Sequence, residues 1–503
     1  MPSAISEIQQ NIFSGVATDE LPKKRRGEVR AQYLKARFSN IFPTGSSKEP
    51  VLLVGREGQM QQLAALADET LEVAPGKSAA SIIGVVLHGP RGTGKTVLLN
   101  AFSVGMQGRG AGVLKMTGNN ALGSEGKLIK TLVEQLPALP ETTETLRGEG
   151  EVKASVMLVG ADGRMGAEAS TRSLGGKQRF GTVESALRAV LSQEDAAAGL
   201  PLVIAIDEAH ASDPAALGQL LNAAQSLSGP DVGLAVAVVM AGTPDVIDVL
   251  RNEACRATWF MDRAGRNKRL APVPNDLPPQ ACARAIALTL DAAGVAVKDA
   301  KHLAAMAAEC KGSPYFLQVL GESALVDASK SGNVADFSSG GGIDLAFRDV
   351  VLARYEEAWG DLNEKGLSGC ARQLGALWRA RGGGRGRITD GLVKAAIASG
   401  VEHAPKGIGS DSPWTAKKAE AHFRHLGLLW SPTGSPTGPW GMGLPSIFGY
   451  VDQVFSSSDF PQHYAARPAL EADMARIIGL AANPKADAAE ESRDRDSSSR
   501  QPT

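Results

Sequence analysis

Val85-Val86-Leu87-His88-Gly89-Pro90-Arg91-Gly92-Thr93-Gly94-Lys95-Thr96 is the stretch on which the reading of this chain turns. A mostly apolar run reads as a buried strand, and a glycine-rich loop then leads into a helix that opens at Thr96 and continues through Val97, Leu98, Leu99 and Phe102. The spacing fits G-x-x-x-x-G-K-[ST], the phosphate-binding P-loop. Gly89, Gly92 and Gly94 allow backbone turns closed to residues with a Cβ, so the loop Gly89-Pro90-Arg91-Gly92-Thr93-Gly94-Lys95 can wrap a nucleotide's phosphates, with every residue but Pro90 offering a backbone N–H. The following helix N-terminus adds its dipole. Lys95 supplies a point charge for the β- and γ-phosphates, and the Thr96 hydroxyl completes a Mg²⁺ shell. A chance glycine turn would lack this strand before it and this helix after it.

At 503 residues the chain exceeds one core, and length alone predicts about three domains. Lys and Arg number 53 against 54 Asp and Glu, so no global field favours nucleic acid and any such contact needs a local patch. The four cysteines, Cys255, Cys282, Cys310 and Cys370, are widely spaced and fit free thiols in a reducing cytosol better than a disulfide framework or a zinc site. With no apolar leader and no run of about 18 apolar residues, the expectation is a cytoplasmic protein without a membrane partner.

Downstream of the P-loop, Leu202-Val203-Ile204-Ala205-Ile206 reads as a strand buried on both faces, ending in Asp207-Glu208-Ala209-His210. Open α/β sheets bind ligands at the carboxyl ends of their strands. Asp207 is the candidate to hold Mg²⁺, directly or through water, and Glu208 to polarise the water that attacks the γ-phosphate. Leu234 to Met240 reads as a further buried strand, ending in Ala241-Gly242-Thr243-Pro244-Asp245. Thr243 is placed either to meet the attacking water or γ-phosphate, or as a turn residue ahead of Pro244.

The first 50 residues are polar and carry Lys23-Lys24-Arg25-Arg26, Arg30, Lys35 and Arg37. They read as a solvated, partly helical leader or as an arm that touches phosphate or an acidic partner. Residues 151 to 181 alternate like a β-hairpin insertion with no assignable chemistry. Helical patterns fill 281–293, 299–310 and 314–330, the last capped by Ser313-Pro314, and Ser338 to Gly342 reads as a linker. From about Ile343 to Phe455, three helices, a basic glycine-rich loop (Arg379, Arg381, Arg385, Arg387) and a hairpin around Trp430 and Trp440 follow the winged-helix plan. The third helix carries Lys417, Lys418 and Arg424. Beyond about Ala481 the charged, Ser-rich tail reads as disordered.

Val54-Gly55-Arg56-Glu57, Gly89 to Thr96, Asp207-Glu208-Ala209-His210, Ala241-Gly242-Thr243-Pro244 and Gly312-Ser313-Pro314, in this order, resemble the AAA+ ATPases over roughly residues 51 to 330. The branch is the origin-recognition-like one, which shades into the STAND switch ATPases. The resemblance implies an α/β fold: a P-loop parallel sheet with helices on both faces, then a small helical lid and a winged-helix domain. It gives an ATPase core (51–270), a lid (271–337) and a winged helix (343–455), and composition adds a basic, partly disordered arm (1–50) and a disordered tail (481–503). It implies ATP and Mg²⁺ as cofactors, with hydrolysis to ADP that is slow and regulated, and it favours adenine over guanine. It places Val54, Gly55 and Arg56 near the base, the first sensor on Thr243, and an arginine finger acting across a self-associated assembly on Arg263 or Arg266.

Gly312-Ser313-Pro314 is the STAND-like form, where initiator-type members carry a second-sensor Arg. Val401 to Asp411 is also longer than the usual helix-turn-helix turn. Two destinations stay open. The basic loop and Lys417, Lys418 and Arg424 fit a winged helix on duplex DNA. The Gly-Ser-Pro element, the long turn and the neutral charge fit a signalling or defence switch whose winged helix packs on the core and acts through a protein partner.

Overall fold

Uninterrupted runs of branched and small apolar residues become the strands of one sheet. β1 (Ile83–His88), β2 (Gly112–Thr117), β3 (Leu202–Asp207), β4 (Val236–Gly242) and β5 (Leu270–Pro272) lie in the order β2-β3-β4-β1-β5. All neighbours are parallel, with Met240 opposite both Val86 and Ile206, and Thr117 opposite Asp207. The structure is a computed structural model that describes residues 23–43, 54–72, 83–134, 182–190, 201–228, 234–266, 270–380, 388–402, 414–431 and 440–442.

Successive strand residues point to opposite faces, and each face is covered. Val85, Leu87, Val203, Ala205 and Val239 pack with α2 (Glu57–Leu71) and α3 (Lys95–Gln107) through Leu63, Leu66, Leu98 and Phe102. Val86, Ile204, Ile206, Val238 and Met240 pack with α4 (Glu125–Glu134), α5 (Val183–Val190), α6 (Pro214–Leu227), α7 (Val246–Arg251) and α8 (Thr258–Arg266). The carboxyl ends of β1, β3 and β4 therefore open on one edge, where the P-loop, Asp207 and Thr243 follow them. The expected α/β sheet with helices on both faces is present.

The remaining elements form a second core. α9 (Pro279–Ala293), α10 (Ala300–Glu309) and α11 (Pro314–Lys330) are followed by α12 (Gly342–Glu364), α13 (Ser368–Ala380), α14 (Asp390–Glu402) and α15 (Ala416–His425). Two residue pairs, β6 (Ala296–Val297) and β7 (Val334–Ala335), run parallel, and β8 (Leu429–Trp430) pairs antiparallel with β9 (Gly441–Met442). Ile388 bridges Trp440, so three helices and a small hairpin close on one another in the order read from the sequence. Phe316 of α11 packs edge-on against Phe347 and Tyr355 of α12, and one apolar cluster runs from there to Leu374, Val393 and Phe423.

Two details differ from the sequence reading. Residues 23–43 are not a solvated leader. α1 (Lys23–Leu34) buries Val29 and Tyr33 in the second core, Arg30 donates to the Ala293 carbonyl, and Arg26 pairs with Asp291. The apolar i, i+4 pair outweighs the surrounding charge because the arginines find partners on α9. The linker also ends sooner, since Gly342 already opens α12, anchored by the buried Asp344 carboxylate accepting from the Gly340 N–H (2.8 Å). The 151–181 alternation, Arg381, Arg385, Arg387 and the tail beyond Ala481 lie outside the described residues.

Candidate nucleotide site

β1 ends at His88, and the loop from Gly89 to Gly94 carries the chain into α3. Gly92 (φ 78°) and Gly94 (φ 91°) sit in the left-handed region, which is why the loop needs glycine there. At Gly89 a side chain would collide with the Val273 carbonyl. The buried Thr93 hydroxyl donates to the Pro90 carbonyl (3.0 Å), bracing the loop from inside. Lys95 is buried, its ammonium donating to the Pro90 carbonyl (2.6 Å), and burial lowers its pKa to about 8 despite Glu208 and Asp207 nearby. A cation held this far from water, on one carbonyl, is matched to an anionic ligand.

Asp207 ends β3 with one oxygen accepting from both the Thr96 hydroxyl (3.1 Å) and the Glu208 N–H (2.9 Å). Burial raises its pKa, and those two hydrogen bonds pull the other way. Thr96 and Asp207 thus put two hard oxygen donors side by side, the donor type that Mg²⁺ takes. With the glycine loop and Lys95 beside them, the residues fit a magnesium nucleotide. Glu208 has left-handed backbone (φ 48°), unusual for a non-glycine residue, and its carboxylate is about half exposed.

Thr243 follows β4 and is buried. Its N–H donates to His210 Nδ1 (3.3 Å) and its hydroxyl to Asp245 (3.3 Å). His210 Nε2 lies 3.3 Å from a Glu208 carboxylate oxygen. Burial depresses the His210 pKa to about 4, so the ring is neutral near pH 7. With Nδ1 accepting, the proton sits on Nε2, facing Glu208.

Val54 and Gly55 are half-buried beside Leu277 of the segment leading to α9. Arg56 is 1% exposed, and its guanidinium donates to the carbonyls of Thr93 (3.2 Å) and Pro274 (2.7 Å) and pairs with Asp276 (3.2 Å). It is a strut joining the P-loop to the strand that leads out of the sheet. Arg263 and Arg266 lie on α8, whose Phe260 ring covers Gly84 at the start of β1, about 17 Å along the strand from Gly89. The structure therefore brings Gly89 to Thr96, Asp207, Glu208 and Thr243 together, with Arg56 behind them, and leaves α8 anchored at the opposite end of β1.

Several neighbours carry no local sequence signal. A Cβ on Gly92 would lie 3.1 Å from the Tyr315 Cβ at the start of α11. One on Gly427, just past α15, would lie 3.8 Å from the Arg91 nitrogen and 4.0 Å from the Pro90 Cα. Arg424 pairs with Asp248 on α7, and His425 approaches Asp245 at 3.9 Å. His210 alone had a signal, its place beside the paired carboxylates.

Residues 52–237 match the protein family described as the AAA ATPase domain. Over this stretch the chain is similar to AAA ATPase domains. A comparison with curated proteins found no match. Among solved structures, the chain is similar to Cdc6p from Pyrobaculum aerophilum (16% identity, 88% of this chain and 99% of that one, TM-score 0.40). It is also similar to the Aeropyrum pernix ORC2 protein (14%, 88% and 98%, TM-score 0.40) and to a Walker-type ATPase of Pyrococcus abyssi (15%, 82% and 99%, TM-score 0.45). The matched stretch contains the P-loop, Asp207 and Glu208, whereas Thr243 and α9 to α15 follow it. Among the described residues, no helix is long and apolar enough to cross a membrane.

Proposed function

We propose that the chain is an ATP-hydrolysing switch whose nucleotide state controls the seating of the C-terminal helical module on the P-loop. The observation that carries this reading is the contact of α15 with the site: Gly427 against Pro90 and Arg91, Arg424 on Asp248, and His425 near Asp245, two residues beyond Thr243. A module that touches the phosphate loop and the loop after β4 gains or loses contacts when the γ-phosphate changes. Such differential contact is what lets a ligand shift a conformational equilibrium.

The P-loop amides and Lys95 hold the phosphates, and Thr96 and Asp207 hold the magnesium ion. When bound, the magnesium ion would neutralise phosphate charge and the nucleotide would present its γ-phosphorus as the electrophile. Glu208 would take up a proton from the attacking water as its oxygen bonds the γ-phosphorus and the β–γ bridging P–O bond breaks, releasing ADP and phosphate. The resemblance to AAA+ ATPases supports adenine as the base. Arg263 or Arg266 would act on a neighbouring subunit's nucleotide, in keeping with the placement of α8 at the far end of β1.

Duplex DNA is the second reading, favoured by the exposed Lys417 and Lys418 on α15. Arg424 does not support it, because it is committed to Asp248 and lies over the Trp440 ring (5.6 Å). Two assays test the pair of readings: ATP turnover of wild type, Lys95→Ala and Glu208→Gln, and duplex-DNA titration at two salt concentrations. Turnover lost in both variants without salt-sensitive DNA binding supports the switch. Binding that weakens steeply with salt and is lost in Lys417→Ala/Lys418→Ala supports DNA. Wild-type turnover unchanged by Lys95→Ala would sink the ATPase reading.

A further inference from the structure

Glu208 sits in an awkward position for a residue that must aim at one water. Its backbone is left-handed (φ 48°, ψ 36°), and its carboxylate is about half exposed, free to sample several rotamers. The polar side chain placed against it is His210, whose Nε2 lies 3.3 Å away. The other ring nitrogen accepts the Thr243 N–H at 3.3 Å, and Thr243 is the first residue beyond β4. His210 itself is held in place: a Cβ on Gly242 would come within 3.2 Å of the His210 backbone nitrogen, and the imidazole is 8% exposed. The ring therefore spans two strand ends, β3 through Glu208 and β4 through Thr243.

We propose that His210 is a positioning residue that ties the water-polarising carboxylate of Glu208 to the end of β4 at Thr243. The inference rests on the reading of the site as an ATP-hydrolysing one. The Thr243 N–H is a fixed backbone donor, so it selects the tautomer with the proton on Nε2, and that proton faces the Glu208 carboxylate. The same arrangement hands any shift of the loop after β4 to Glu208 through one rigid ring. The low pKa of His210 agrees with this: burial opposes its protonation most, Lys95, Arg91 and His425 add to it, and the Asp245 and Glu208 carboxylates pull the other way without overcoming it. A neutral imidazole offers the Glu208 carboxylate one directed hydrogen bond from Nε2.

The test uses the full chain with ATP and Mg²⁺. His210→Ala should lower kcat about 10- to 100-fold, the scale of a misplaced catalytic group, with KM for ATP and the affinity for a fluorescent ATP analogue unchanged. His210→Gln, which restores an N–H near the Nε2 position, should recover part of that loss. In single-turnover measurements the cost of His210→Ala should disappear in a Glu208→Gln background, because the group being aimed is gone. A loss that adds in full on Glu208→Gln, or that falls on affinity, would overturn the proposal.

A second measurement needs no variant of the histidine in the sample that decides it. In ¹⁵N-histidine-labelled protein, the resonances missing from His210→Gln identify the ring. They should show Nε2 protonated and Nδ1 unprotonated near pH 7, and should move in Glu208→Gln. The opposite tautomer, or no response to Glu208→Gln, would overturn the proposal even if His210→Ala fails to fold. A wild-type protein without turnover would instead sink the ATPase reading, and this inference with it. Normal turnover in His210→Ala would sink the inference alone.

Discussion

In the proposed mechanism Lys95 and Glu208 divide binding from turnover, because one would face phosphate and the other the attacking water. Removing one partner of a buried charged contact costs about 2–5 kcal/mol, so Lys95→Ala should weaken ATP binding at least ~30-fold in an equilibrium titration. Glu208→Gln should keep that affinity and lose about 10²- to 10⁴-fold in kcat, the usual contribution of a general base. Equal affinity for Lys95→Ala and wild type would remove the phosphate-binding role. His88, at the end of β1, makes a separate prediction. It is buried, and burial, with Lys95 nearby, lowers its pKa from 6.5 to about 4. The unfolded chain binds this proton more tightly, so the stability given by the neutral ring is complete above about pH 6.5 and is lost progressively down to about pH 4. The full loss is about 3 kcal/mol. Denaturant titrations of His88→Gln should show a shallower decline across that window than wild type, and identical slopes would refute the assignment.

Helices and strands show where packing overrides local preference. Gly218 lies inside α6, where Ala would be favoured by about 1 kcal/mol of helix propensity. A Cβ there, however, would run into the carbonyl of Cys255, a backbone atom that cannot rotate aside. Overpacking costs about 1–3 kcal/mol, so Gly218→Ala should lower the thermal midpoint, and a raised midpoint would show that the turn at Cys255 yields. At this scale the strands were legible in sequence, because Leu202 to Ile206 and Val236 to Met240 are apolar at every position, as a sheet covered on both faces demands. The P-loop was legible because its glycines, Lys95 and Thr96 are contiguous. α1 was misread because four basic residues in a row hide the Val29 and Tyr33 pair, and the fate of those residues depends on α9, some 250 residues away.

The molecule as a whole places a C-terminal helix on an N-terminal phosphate loop, a contact that no local pattern could announce. Gly427 reads in sequence as a helix stop, and only the fold puts it against Pro90 and Arg91. The same holds for the contact of His210 with Thr243, just past another strand, and for Tyr315 beside Gly92. If seating of α15 is the output of the switch, Arg424→Ala should loosen it only slightly. Asp248 is about half exposed, and such pairs contribute about 0.2–1 kcal/mol, or at most ~5-fold in population, read as faster ADP release. The γ-phosphate should act more strongly, because it brings negative charge to the loop where Asp245 faces His425. The most direct measurement is the distance between spin labels on Lys417→Cys and Gln107→Cys, both exposed positions, in a chain whose native cysteines are all buried. The account predicts one distance with ADP and a second, longer population with a non-hydrolysable ATP analogue. A single distance distribution, the same with either nucleotide, would contradict it.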